Sequence, residues 1–558
     1  MAWRYITYRL CLHLMLLLWV SAALPGLTLS TSINSSKRVS WFGESNLKNT
    51  TTLLLSEDSN TLYVGARDSV VFLDVSQPGT LKLQNKLNLS PSVEEIADCT
   101  KKVDNPRLKC SNFIRILLPL NKTHYIICGT NAFKPTYMYF DRKTFTITRP
   151  GDGKRPNANG ICPFDPYQKH TAIIAGGELY TGLMGDFQAN LPVIRRSLVT
   201  ESRKSLNIEM WLNDPDFAGS FSFPERDPES RVYFFFSEVG NEYTFFENIF
   251  VPRVAQVCTN DNGGTLIQQN IWTTFAKAEI RCPSSKKLPY NIIQDIFALT
   301  PSKNDSSNET LFYGIFTSQW PESFGKSAVC AFRMNDIKAV FTGGYLKFNK
   351  DTQRWDRETR QDVRPGTCEQ KTDNTIFELK DIYLMDSFIR PVGHKPILES
   401  YEHLYKKITV QRVKAANMKT YIILFLLTES GSLHKVVMED GEIRFNETIQ
   451  LFTEPQPVTS LLLSSEKSAV FVGSSEGIFQ INIHSCASYQ SCIDCVQSKD
   501  PFCGWDFKSK VCTTGQVETV KDQKCPSTVD PAKGSSSAGV TSSSSIMISL
   551  LILLSQRL

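Results

Sequence analysis

Histidine is scarce in this chain, with seven in 558 residues, and His13 lies in the leading segment. The side chain most used for proton transfer and metal binding near neutral pH is therefore thinly supplied. No HExxH, GxSxG or P-loop pattern occurs, and no GxGxxG follows an apolar strand. Scattered carboxylates such as Glu94-Glu95 show no spacing that suggests a glycosidase pair. The sequence thus offers no catalytic constellation, so no enzyme activity, cofactor or metal is expected. A block of one charge sign is missing too. The formal net charge is +5, and Lys37-Arg38 and Lys286-Lys287 are isolated pairs, which leaves no signature of a nucleic-acid partner. The apolar runs Leu10–Val20 and Ile546–Leu554 both fall short of the roughly twenty residues needed to span a bilayer.

What is present points outside the cell. Arg4 and Arg9 open a leading segment that continues through Leu10–Val20 into Ser21, Ala22 and Ala23 and stops at Leu24-Pro25-Gly26. That order is a secretory signal peptide over about 1–26. Sequons at Asn34, Asn49, Asn88, Asn121, Asn304, Asn308 and Asn446 fit a lumenal route and are candidate N-glycosylation sites. After Cys525 the chain becomes small and polar through a Ser-rich 526–545, followed by an apolar 546–558. Small residues, a polar spacer and an apolar tail form the order of a GPI-attachment signal, with Ser535, Ser536 and Ser537 as candidate anchor residues. The expected location is the outer face of the plasma membrane, with secretion or shedding as the alternative.

Six of the fifteen cysteines fall between Cys486 and Cys525. About forty residues cannot bury enough apolar surface to fold unaided, so a module of this size needs disulfides or a metal. Cys492 and Cys495 form a CxxC pair, but the other spacings are irregular and His484 alone is near, which favours disulfides over zinc.

The long region 40–485 is rich in Val, Ile, Phe, Tyr and Thr, and one pattern recurs in it: apolar strand, turn, apolar strand. LYVGARDSVVFLDV (62–75) and VFVGSSEGIFQINI (470–483) are the clearest copies. Weaker ones occupy 125–140, 178–198, 232–258, 311–334 and 421–438, making seven units. Hairpins repeated over this length argue for an all-β fold with radial repetition, a seven-bladed β-propeller rather than a sandwich. The step from 311 to 421 is 110 residues, against about 40–50 for a four-stranded blade, so an insertion is expected within 335–420.

At this point the residues resemble a semaphorin. They read CGTNAFKP (128–135), CPFDP (162–166), GELYTG (177–182), VYFFF (232–236), VPRVAQVCTNDNGG (251–264), WTTFAKAEIRC (272–282), RPGTC (364–368) and DPFCGWD (500–506), in the family's order. The resemblance implies a seven-bladed sema propeller, an extrusion at 335–420 and a PSI module at 486–525. It also implies a homodimeric ligand of plexin receptors that signals in axon guidance, cell migration or immune cell communication. Family pattern implies the pairs Cys99–Cys110, Cys258–Cys368, Cys282–Cys330, Cys486–Cys503, Cys495–Cys512 and Cys492–Cys525.

Two departures from the family stand out. Tyr137 occupies the place of the usual partner of Cys128, which leaves a Cys128–Cys162 bridge or two free thiols. Beyond Cys525 there are only some nine residues before Gly534, where many semaphorins carry an immunoglobulin domain. The GPI-type segment is similar to that of class 7 members. Their integrin-binding RGD is absent, since Arg149-Pro150-Gly151-Asp152 only approximates it. The turn at Glu238, Asn241, Glu242 and Tyr243 is a candidate receptor contact, with an ordinary solvated hairpin as the bland alternative. Other readings are a sema-domain receptor or co-receptor fragment, a soluble decoy, or a propeller hydrolase.

Overall fold

The computed structural model describes residues 31–32, 38–514 and 525, apart from 44–46, 150–155, 157, 199–204, 209–210, 224–229, 244–247, 267–268, 286–287, 302–308, 321–325, 359–363, 370, 380–381, 416–418, 453, 455 and 485. The side chains of 31, 32, 445 and 446 are likewise outside the description. The signal peptide, Asn34, Asn304, Asn308, the Asn446 side chain, Ser535, Ser536, Ser537 and the apolar tail therefore lie outside the described residues.

Strands dominate, and they group into antiparallel sheets in chain order. The first sheet holds Thr52–Leu55, Thr61–Ala66, Ser69–Asp74 and Lys82–Asn88. The second holds Ile114–Pro119, His124–Gly129, Thr136–Asp141 and Thr146–Thr148, and the third Thr171–Ala175, Glu178–Met184 and Pro192–Ser197. The fourth begins with Asp216–Ser222, Arg231–Val239, Phe250–Cys258 and Ala276–Ile280. Ile292–Leu299, Leu311–Thr317, Ser327–Arg333 and Leu398–Ser400 make the fifth, and Tyr405–Lys414, Thr420–Thr428, Ser432–Glu439 and Glu442–Gln450 the body of the sixth. The seventh joins Val458–Ser464, Ala469–Ser474 and Ile478–Asn482 to the N-terminal strand Val39–Phe42, which pairs antiparallel with Ile478–Asn482.

The first strand of each sheet touches the first strand of the next, and Val458–Ser464 touches Thr52–Leu55, so the contacts close into a ring. This is a β-propeller. Each repeated sequence unit forms the second and third strands of one sheet. These strands are buried on both faces between neighbouring sheets, as in Glu178–Met184, and so read as continuous apolar runs rather than alternating ones. Buried clusters lie between sheets: Tyr63, Phe72, Tyr125 and Phe140 join the first to the second. Phe235, Phe312, Phe316 and Phe332 join the fourth to the fifth. The cluster between the second and third sheets is small, with Ile116, Cys128, Ala158 and Cys162. There the structure bridges Cys128 to Cys162 at a Cα separation of 5.8 Å.

The insertion leaves the fifth sheet after Arg333 and returns at Leu398, so Leu398–Ser400 and Tyr405–Lys414 within the expected window belong to the ring. It carries the helices Met334–Phe341 and Asp373–Leu379 and the strands Tyr345–Asn349, Arg354–Glu358 and Leu384–Ile389. Leu384–Ile389 lies parallel to Ala276–Ile280 and extends the fourth sheet, where an edge would otherwise be exposed. The Cys258–Cys368 bridge holds the insertion down at a Cα separation of 5.4 Å. Gly366 turns the chain toward it with φ of 76°, and its carbonyl accepts from Gln256 Nε2 at 3.0 Å.

The cysteine-rich segment folds as the short helix Cys492–Gln497 and the hairpin Cys503–Asp506 with Val511–Thr514. Bridges Cys486–Cys503 and Cys495–Cys512 enclose Trp505. Cys99–Cys110 and Cys282–Cys330 are also bridged, and Cys492 and Cys525 are each disulfide-bonded.

Candidate receptor-facing surface

Antiparallel strands alternate in direction, which assigns each loop to an end of the ring. Loops joining second to third strands, and those running from one sheet to the next, leave at one end. Loops joining first to second and third to fourth strands leave at the other, as does the chain after Ile478–Asn482 on its way to the cysteine-rich module. The two ends are built differently.

At the first end, the fourth-sheet strand Arg231–Val239 finishes in the predicted turn. The structure corrects the expectation for Glu238. Its side chain is fully buried, on the same strand face as Phe234 and Phe236, where Arg253 and Lys277 of the next two strands meet its carboxylate. It is neither a receptor contact nor part of a solvated turn. Glu238 Oε1 accepts from Arg253 Nε at 3.0 Å and from Lys277 Nζ at 2.5 Å. Its Oε2 accepts from the Asn213 amide at 3.2 Å. Lys277 Nζ also donates to the Trp211 carbonyl at 2.6 Å and sits 5.3 Å from the Tyr383 ring centre. Burial pushes the Lys277 ammonium below its ordinary range, against the pull of Glu238. For Arg253 burial is also the largest influence and acts downward, but Glu242 and Glu238 outweigh it and hold the guanidinium above its ordinary range.

From this buried base the rim rises. Glu242 Oε1 accepts from Arg253 Nη2 at 2.5 Å and is mostly covered. The Tyr243 hydroxyl donates to Glu279 Oε2 at 3.0 Å, and burial, then Glu279, raises its pKa. Asn241 is exposed, and its side-chain oxygen accepts from Asn213 Nδ2 at 2.6 Å. The insertion reaches the same rim: Trp355 Nε1 donates to the Asn241 carbonyl at 3.2 Å. Beside it Phe388 is flanked by two guanidinium groups, Arg281 at 3.6 Å and Arg390 at 4.5 Å from the ring centre. Nothing in the local sequence singles out Trp355, Arg281, Phe388 or Arg390. They meet only because Leu384–Ile389 docks beside Ala276–Ile280.

The same end holds a cavity of about 430 Å³ lined by Lys109, Phe133, Phe164, Asp165 and Phe187 among others. Ser92 and Glu95 cap the helix Val93–Thr100 reciprocally and so present Cys99 to Cys110 beside it. Asp186 Oδ1 accepts from the amides of Asn190 and Leu191 at 2.8 Å, folding the loop that presents Phe187. Phe187 packs edge-on against Phe133 at 5.2 Å, and Lys109 pairs with Asp165 at 3.1 Å. Among the described residues no group of three or more His, Cys, Asp or Glu is placed to hold a metal. No described helix is long and apolar enough to cross a membrane. Asn88 and Asn121 are exposed and Asn49 is half-buried.

Comparison with known proteins assigns this architecture. The Sema domain family matches residues 293–465, and the Plexin repeat family matches 485–532. Semaphorin-4B of Mus musculus is 38% identical over 508 residues, covering 86% of this chain and 61% of the relative. The chain belongs to the semaphorin family. Among solved structures, Drosophila Semaphorin 2a aligns with a TM-score of 0.77 and 25% identity over 89% of this chain and 83% of that one. A chain in the complex of Drosophila Plexin A with Semaphorin 1b aligns at 0.74 and 25% identity over 89% and 96%. This semaphorin chain spans about three fifths of the length of the curated relatives it matches. Semaphorin-4A, Semaphorin-4C and Semaphorin-4D of Mus musculus are also similar, at 34–38% identity, whereas the likeness to class 7 rests on C-terminal residues outside the described part.

Proposed function

We propose that this semaphorin is an extracellular ligand that docks on a plexin-type receptor through the loop end of its propeller, at the rim around Asn241, Glu242, Tyr243 and Trp355. The observation that carries the reading is the pairing of an exposed rim with a buried ionic base. Asn241 stands open, while Glu238, Arg253 and Lys277 fix the turn beneath it from two further strands. A surface held in place before binding loses less entropy when a partner arrives. The structural likeness to a chain in a plexin–semaphorin complex supports the choice of receptor.

The ring of sheets is read as seven blades, closed by Val39–Phe42 on the seventh. Pairing of two copies would raise the effective concentration of receptor sites without stronger single contacts. Anchoring through a GPI group at Ser535, Ser536 or Ser537, and glycosylation at the sequons, complete the proposal. At Asn121 the Thr123 hydroxyl donates to the side-chain oxygen at 3.0 Å within an exposed turn, which suits modification.

Binding of the soluble ectodomain to a panel of plexin ectodomains tests the reading. Saturable binding to at least one is expected, and its absence across the panel overturns it. Phospholipase treatment of expressing cells tests the anchor separately: release supports it, and retention of all surface protein rejects it.

A further inference from the structure

The opposite end of the ring buries four charges where the cysteine-rich module meets the propeller. Lys435, on the strand Ser432–Glu439, pairs with Asp500 of the module at 2.6 Å, and both side chains are almost completely buried. Lys435 Nζ also donates to the Ile483 carbonyl at 2.9 Å and lies 5.0 Å from the Phe502 ring centre. Directly across the sheet from Lys435 stands Glu447. Its carboxylate is paired with Arg38, just ahead of the N-terminal strand, and this pair is buried as well. Arg38 further donates to the Asn482 carbonyl through Nε at 3.3 Å and Nη2 at 3.2 Å. The order across the junction is Arg38, Glu447, Lys435, Asp500, alternating in sign. His484 and Tyr489 lie in the same field. Burial and then Asp500 act on both, and Tyr489 is pushed up to about 12.

We propose that this buried charge chain couples two events, docking of the cysteine-rich module and closure of the ring by Val39–Phe42. Asp500 is matched by Lys435, and Glu447 is matched by Arg38 with Lys435 as a second cation across the strand pair. Removing either carboxylate leaves a buried cation without its match, and such a cation is costly unless the structure around it opens. Opening at Lys435 draws Glu447 toward the unmatched ammonium and away from Arg38. That loosens the segment from which Val39–Phe42 starts. The module then acts as a lock on the N-terminal strand, and its loss would open the propeller at its closing sheet.

The test is hydrogen exchange on the full ectodomain carrying Asp500→Asn. Exchange is expected to accelerate about tenfold or more both in the module and in Val39–Phe42, with Thr61–Ala66 of the first sheet unchanged. Acceleration confined to the module overturns the coupling. A second variant, Lys435→Met with Asp500→Leu, removes both charges of the pair and keeps the test decisive should the single change fail to fold. There Glu447 and Arg38 remain matched, so Val39–Phe42 is expected to stay protected. Loss of its protection in the double variant overturns the proposal.

Discussion

The two ends of the propeller both bury charge, and they do so in different ways. At the loop end Glu238, Arg253 and Lys277 come from three neighbouring strands of one sheet, and the network runs outward to a rim that ends in the open at Asn241. At the module end Arg38, Glu447, Lys435 and Asp500 come from four separate stretches of chain, and the network is sealed beneath the module. A buried ion pair is weak evidence for stability, because desolvation offsets most of the attraction. Position is the informative part. One network supports a surface left free for a partner, and the other joins two folded parts.

The largest effect on this contrast is expected from Glu238→Ala. It leaves Arg253 with Glu242 and Lys277 with no carboxylate, so unfolding free energy is expected to fall by about 3–5 kcal/mol. Urea denaturation checks it, and a loss below about 1 kcal/mol would show that the base of the rim is not held by charge. Acid comes next. His170 and His434 are kept neutral, first by burial and then by Arg115 and His403 respectively, with pKa values lowered to about 3 and about 4. Both folded-state values lie below the unfolded value of about 6.5. Their contribution is therefore complete above about pH 6.5 and is lost as pH falls toward 4. The slope is about 1.4 kcal/mol per pH unit for each histidine. Melting curves across this window should show the decline, and His434→Gln should flatten it. The smallest effect is expected from Glu476→Gln, which breaks an exposed pair with Lys48. About 0–1 kcal/mol is expected, and a larger loss would blur the distinction between sealed and solvated pairs.

Much of the ring is legible in the sequence, for a physical reason. Strands packed on both faces must be apolar throughout, so VYFFF and its counterparts announce themselves one after another. The turn after Val239 is equally visible, through Gly240 and Asn241. The burial of Glu238 is not, because it depends on Arg253 and Lys277, 15 and 39 residues further along. The landing of the insertion on the fourth sheet is hidden for a similar reason. Parallel pairing of Ala276–Ile280 with Leu384–Ile389 brings together segments whose local sequences carry no mark of one another. The bridge of Cys128 to Cys162 falls between. The cysteines narrow the choice, and the thin packing between the second and third sheets gives the bridge its role.

Glycan wedges placed at each end test the central claim most directly. Tyr243→Thr completes an N-x-T sequon at Asn241 on the loop-end rim, and Thr144→Asn creates one in the turn after Thr136–Asp141 at the module end. Both proteins are compared with the unmodified ectodomain for plexin binding, after mass analysis shows the added glycan and melting shows a retained fold. The account predicts that the wedge at Asn241 abolishes binding and the wedge at the module end leaves it unchanged. Full binding with the Asn241 wedge in place would contradict it.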